Sequence, residues 1–174
     1  ATPTSGLSHA GLRADPAVEV VMPRVEFYGL VSAGGRSLPF AGIGVDPEAE
    51  ARGSTIPRSV HQGQWLDAKD RGVVIGGGLA KALNARLGSS VTLLATTSDG
   101  TLNAIDATVR GIADISIKEL SERYLALPLP LAQDLLSAPD TVSRISVILK
   151  EPAREPEAAA RLVEQRKQSE VTLG

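Results

Sequence analysis

The chain has 174 residues with 18 Lys and Arg against 20 Asp and Glu, a formal net charge of −2, and no cysteine. That balance offers no broad attraction for nucleic acid or an anionic membrane surface, and the absence of thiols excludes disulfides, thiol catalysis and thiolate metal sites without fixing the compartment. Aromatic residues make up only 3%, so the core has to be built from Val, Leu, Ile and Ala, and stacking platforms for bases or sugars are not provided for.

The length suits one domain or two small, closely packed lobes. No run approaches the roughly 18 apolar residues that a membrane-spanning helix needs, and the first residues lack the charged-then-apolar pattern of a signal peptide. The chain opens at Ala1-Thr2-Pro3 and stops at Val171-Thr172-Leu173-Gly174 as a new strand begins, which reads as a segment of a longer protein.

In chain order, residues 1–17 read as a Gly-, Ser- and Ala-rich flexible lead-in with a little helix around Leu7 to Leu12. Val18 to Met22 is β-prone and is stopped by Pro23, after which Val25 to Val31 alternates Val25, Phe27 and Gly29 against Glu26, Tyr28 and Leu30. A turn over Ser32 to Ser37 and a strand over Leu38 to Val45 complete a hairpin, ended by Asp46-Pro47. Residues 47–71 read as irregular and polar, a length of loop that usually serves a purpose.

The most ordered message follows. Val73 to Ile75 is a short β-branched run bounded by glycines, Gly76-Gly77-Gly78 reads as a tight turn, and Leu79, Leu83 and Leu87 recur at intervals of four as the apolar stripe of a short helix. Gly88 stands where a left-handed residue would end it. Val91 to Ala95 and Leu102 to Ile112 pair across the turn Ser98-Asp99-Gly100. Asp114 to Arg123 is a loop or short helix, Tyr124 to Leu129 a strand, and Pro130 opens a helix through Leu136. Val142 to Leu149 is a strand, and Pro156 starts a last helix with Ala159, Leu162 and Val163 on its apolar stripe. The sequence shows no internal repeat. The fold class expected is α+β, with mixed, mostly antiparallel sheets and a few short helices.

Candidate chemistry is thin. Gly76-Gly77-Gly78 between strand and helix invites a phosphate-cradle reading, but no Ser or Thr follows Lys81 and the glycines are contiguous, unlike either nucleotide motif. His61, Trp65, Asp67 and Asp70 could form a small polar site, yet a metal needs three or four ligands and the other histidine, His9, lies in the lead-in. Trp65 is better read as a lid anchoring a loop, its indole N–H directed at a carbonyl. Asp99, Asp106 and Asp114 read as turn or solvent-face acids, and no G-x-S-x-G elbow is present. No catalytic, cofactor-binding or metal residue is assigned, no cofactor is expected, and the chain is read as not an enzyme. The alternative is a free-standing α/β domain that binds a nucleotide or small molecule at the Gly76–Gly78 turn.

Three stretches together carry a family resemblance: Gly72-Val73-Val74-Ile75-Gly76 with Leu79-Ala80, Leu83, Leu87-Gly88 and Val91-Thr92-Leu93; Thr108-Val109-Arg110-Gly111-Ile112; and Leu127-Pro128-Leu129 with Ala132-Gln133, Leu136 and Val142 to Val147. In order and spacing they resemble the extracytoplasmic, MacB-like core domain of FtsX-, LolC- and LolE-type ABC-transporter permeases, as do Gly44 to Pro47 and Gly63 to Leu66. The resemblance covers about residues 18–150. Ser89-Ser90 departs from it where the family carries an acidic residue. No extended hook hairpin, by which lipoprotein-releasing members engage a periplasmic chaperone, is found.

The resemblance implies a core domain over residues 18–170, with a β-rich inserted lobe at about 58–119, outside the cell membrane and between flanking transmembrane helices of a permease. It implies an ABC ATPase as partner through the full-length permease, an exported substrate or an extracytoplasmic protein as contact, and a permease dimer as a further pairing. Such a domain would relay motion from ATP hydrolysis to export, lipoprotein release or partner regulation. Loops 47–71 and 114–123 are its expected contact surfaces.

Overall fold

The computed structural model describes residues 14–150. The helices expected near Leu7 and from Pro156 lie outside the described residues. Strand β1 (Val18–Ala33) runs through Pro23 without a break. Pro23 falls where β1 changes neighbours, since its pairing with β8 (Arg144–Leu149) ends at Arg24 and its pairing with β2 (Arg36–Val45) begins there. The β1–β2 hairpin closes through Gly34 and Gly35, both at positive φ (54° and 81°), which a two-residue turn of this hand requires.

Residues 47–71 are less irregular than their polarity suggests. Helix α1 (Pro47–Gly53) starts at once, with Pro47 in its first turn and Asp46 Oδ1 accepting from the amides of Glu48 and Ala49 at 3.1 and 3.2 Å. A 3-10 turn (Ile56–Ser59) and the short strand β3 (Val60–Gly63) follow. Then come β4 (Gly72–Gly76), α2 (Gly77–Leu83), β5 (Ser90–Thr96), β6 (Leu102–Ala113), α3 (Lys118–Ser121), β7 (Tyr124–Pro128) and α4 (Leu129–Leu136). The class is α+β.

Among the described residues all eight strands belong to one sheet, and six of them close on themselves in the order β1, β2, β7, β4, β6, β5 and back to β1. The pairs β2–β7 and β4–β6 are parallel; β1–β2, β4–β7, β5–β6 and β1–β5 are antiparallel. Two matching units interlock in this ring. Each is a hairpin, a crossover, a strand and a helix: β1–β2 leading to β4–α2, and β5–β6 leading to β7–α4. Each unit's last strand lies parallel to the second hairpin strand of the other. The sequence counterpart of this matching topology is the Leu-Ala-x-x-Leu of Leu79, Ala80, Leu83 and of Leu131, Ala132, Leu135, all buried, followed by left-handed caps at Asn84 (φ 52°) and Ser137 (φ 49°). Outside these stripes the side chains of the two units differ, so the matching topology is not legible as a repeat in the sequence.

Inside the ring, Phe27, Val31, Phe40, Val73, Ile75, Leu93, Val109, Leu125 and Leu127 share one core with both Leu-Ala-x-x-Leu stripes. The two phenylalanines meet edge to face, centroids 5.6 Å apart and planes at 89°. Strands β4 and β7 are buried on both faces, the outer one against a second cluster of Val45, Leu66, Val74, Tyr124 and Ala126.

Two details correct the expected helix. It ends at Leu83, where the Asn84 and Ala85 amides donate to the Lys81 and Ala80 carbonyls at 3.2 and 2.9 Å, so Leu87 leaves the stripe and is 45% exposed. Gly88 does take positive φ (84°), but in the turn leading into β5, its amide donating to the Val109 carbonyl at 2.8 Å.

Candidate functional site

The Gly76-Gly77-Gly78 stretch is not a turn. β4 passes directly into α2, and none of the three has positive φ. Their smallness serves a close approach instead. A Cβ on Gly76 would overlap the Ser121 carbonyl oxygen, and one on Gly78 would meet Glu122 Cγ at 2.9 Å. The Gly78 amide, which a phosphate cradle would direct at its ligand, donates to Ser121 Oγ at 2.9 Å. Helix α3 thus occupies the space above the junction, and Lys81 points to solvent on the far side of the stripe.

The four polar candidates of the 60–70 region do not converge. His61 is exposed on β3, its Nε2 3.4 Å from Gln62 Nε2. Asp67 accepts from the Lys69 amide at 2.9 Å, a local turn bond. Trp65 turns inward, its indole N–H donating to the Pro47 carbonyl at 3.1 Å. Asp70 accepts from the Gly72 amide at 2.8 Å and from the Arg110 guanidinium at 2.7 Å. Among the described residues no group of three or more His, Asp or Glu side chains is placed to hold a metal ion.

Arg110 organises this loop. From β6 its Nε donates to the Trp65 carbonyl at 2.6 Å, and its two terminal nitrogens to Asp70 Oδ2 and Gln64 Oε1 at 2.7 and 3.1 Å. A planar five-donor group can staple three acceptors at once, where an ammonium could not hold that geometry. Residues 54–71 are thereby held over the outer faces of β4 and β7, with Leu66 buried and Ile56, Val60 and Trp65 beside it. The Asp114 amide donates to the Ser59 carbonyl at 2.8 Å and Ile115 joins the same cluster. The two segments expected as contact surfaces therefore adjoin, and in the second of them Ile117, just before α3, and Leu120 on it are exposed.

A second surface stands on the outer wall of the ring. Tyr28 is 82% exposed, Leu102 70% and Leu30 43%. The register sets Tyr28 opposite Ala41, Leu30 between Pro39 and Leu94, Leu94 opposite Ala104, and Leu102 opposite Thr96. This is a continuous apolar band across β2, β1, β5 and β6, and such bands on a wet face mark contacts. The alternation of β1 already placed Tyr28 and Leu30 on the face away from Phe27; what sequence reasoning lacked was the knowledge that no other described residue covers it.

Sequence reasoning also missed the buried ion pair. Arg24 Nε and a terminal nitrogen donate to the two carboxylate oxygens of Glu50 at 2.6 and 2.9 Å, and Glu50 is only 2% exposed. The hydrogen bonds to Glu50 raise the Arg24 pKa further. Nearby Tyr124 is held neutral well above the usual phenol range, first by burial and then by the Glu50 charge. At the β5–β6 turn the Asp99 carboxyl is lowered by hydrogen bonds from the Thr97 and Thr101 hydroxyls and the Thr101 amide.

Residues 2–165 match the family described as MacB-like periplasmic core domain. The chain is 30% identical over 147 residues to the lipoprotein-releasing system transmembrane protein LolE of Haemophilus influenzae, an alignment covering 81% of this chain and 35% of LolE. It thus spans about a third of that relative. Among solved structures it resembles the extracellular domain of the noncanonic ABC-type transporter YknZ from Gram-positive bacteria (TM-score 0.71, 14% identity, 91% of this chain and 81% of that one). It also resembles the periplasmic region of MacB from Actinobacillus actinomycetemcomitans (TM-score 0.69, 17% identity, 91% and 71%). The fold, the ordered motifs and the extent of the match agree: this chain belongs to the MacB-like periplasmic core domain family, the extracytoplasmic domain of ABC transporter permeases.

Proposed function

We propose that this domain carries out no reaction of its own and relays movement generated by a cytoplasmic ATPase to a client outside the membrane. The observation that supports it most is the family match over residues 2–165. In this reading residues 18–170 form the transmitting unit within a longer permease, ATP is hydrolysed by a separate subunit or domain, and two permease copies stand together. Because LolE belongs to a lipoprotein-releasing system, a lipid-modified protein is the first client to test, ahead of other exports and of cell-wall enzyme regulation. Contacts are assigned to the apolar band around Tyr28 and Leu102 and to the adjoining 54–71 and 114–123 surface, because exposed apolar groups and loops on a rigid frame carry recognition.

The test is crosslinking in intact membranes of the full-length protein, with a photoreactive residue in place of Tyr28 or Ile117. Recovery of an ATPase subunit in complex with the permease, and of an exported or extracytoplasmic protein at the crosslink, is expected. Recovery of neither overturns the reading. For the rival nucleotide-binding reading, a ligand at 100 times its dissociation constant would stabilise the fold by about 2.7 kcal/mol; thermal melting with a nucleotide panel is expected to show no such shift.

A further inference from the structure

β1 serves two structures at once. Residues 18–24 pair with β8 and residues 24–33 with β2, and Arg24 stands opposite both Arg144 and Val45, one on each edge. From Arg24 the β1–β8 ribbon reaches about 20 Å, at roughly 3.3 Å per residue, to the point where the Lys150 amide donates to the Ala17 carbonyl at 2.9 Å. Both ends of the described chain leave together at that tip. A displacement at this tip runs along the ribbon toward the ring.

A two-stranded ribbon is marginal by itself, and Pro23, beside the changeover, supplies no backbone donor. On one face α1 supports it, Ala49 packing with Val20, Met22 and Ile148. At the changeover two ion pairs meet among the described residues, the exposed Arg144–Glu26 pair at 3.3 Å and the buried Arg24–Glu50 fork. Two parallel N–H···O bonds fix orientation as well as distance. Buried ion pairs are poor sources of net stability, and apolar groups of the same shape often do as well, so a fork at this position suits a geometric task.

We propose that the Arg24–Glu50 pair is a joint lock: it holds the ribbon at a fixed angle to the ring, so that movement of the chain ends turns the ring as a body. The lock rests on the relay reading only for the origin of that movement. It is tested by spin-label distances in the 174-residue chain, which has no native cysteine, with labels at Glu19→Cys on the ribbon and Ala104→Cys on the ring. The parent is expected to give one narrow distance distribution. Arg24→Met with Glu50→Leu, which removes both charges together, is expected to at least double its width. Arg24→Lys, which keeps the charge and loses the fork, is expected to fall between.

Unchanged width in the double variant, with circular dichroism showing it folded, overturns the lock. If the double variant does not fold, Arg24→Lys decides alone: broadening supports the lock and parental width overturns it. This readout needs no transport. A failure of the relay reading appears separately, as crosslinking that recovers no transporter partner.

Discussion

Gly78 donates its amide to Ser121 Oγ at 2.9 Å, joining two residues 43 positions apart and seating α3 on the junction of β4 and α2. Gly76→Ala is expected to destabilise by about 3 kcal/mol, since its methyl group meets Ser121 backbone that cannot swing aside. Ser121→Ala removes one hydrogen bond and is expected to lose about 1 kcal/mol. Urea denaturation orders the two, and equal effects would show that α3 is not tightly held.

The interlocked halves make a paired prediction. Leu79 and Leu131 hold matching positions, both under 7% exposed, in one shared core. Leu79→Ala and Leu131→Ala are each expected to lose about 3 kcal/mol, with single, coincident transitions by fluorescence and circular dichroism. Two separate transitions in either variant would mean that the halves melt independently.

Tyr124 sets an alkaline limit. Its folded pKa is raised, chiefly by burial, so the stability it contributes is complete below the unfolded phenol value of about 10 and is lost progressively above it. The urea midpoint should fall between pH 9.5 and 11.5 less steeply in Tyr124→Phe than in the parent. Parallel slopes would place the phenol in water.

Arg110 can be read through the single tryptophan. Arg110→Ala frees the Trp65 carbonyl, Gln64 and Asp70 together. The Trp65 emission should shift to the red and become more quenchable by acrylamide, while circular dichroism of the ring stays unchanged. An unaltered spectrum would mean that Leu66 packing and the Trp65–Pro47 hydrogen bond hold the loop without Arg110.

The outer band should be separable from the fold. Tyr28→Ser with Leu102→Ser is expected to change stability by less than about 0.5 kcal/mol each, as surface positions do, and to reduce crosslinking from Ile117 to any client that spans both surfaces. A large loss of stability would show that the band packs against part of the chain itself.

What could be read from the sequence was what is local. Val73 to Ile75, the Leu79 and Leu83 stripe and the Gly34-Gly35 hairpin each announce themselves within a few residues. Asp46-Pro47 carried two signals, strand end and helix start; the first is legible, while polarity downstream hides the second. Ring closure depends on the parallel pairs β2–β7 and β4–β6, whose partners lie far apart in the chain, and periodicity says nothing about such neighbours. Glu50 looks like any helix-surface acid until Arg24, 26 residues away, is brought against it.

Ala17 and Lys150 are hydrogen-bonded neighbours, so the two ends of the described residues stand about 5 Å apart, the ordinary spacing of paired strands. A cassette with so small a doorway can be spliced into the link between two consecutive segments without forcing them apart.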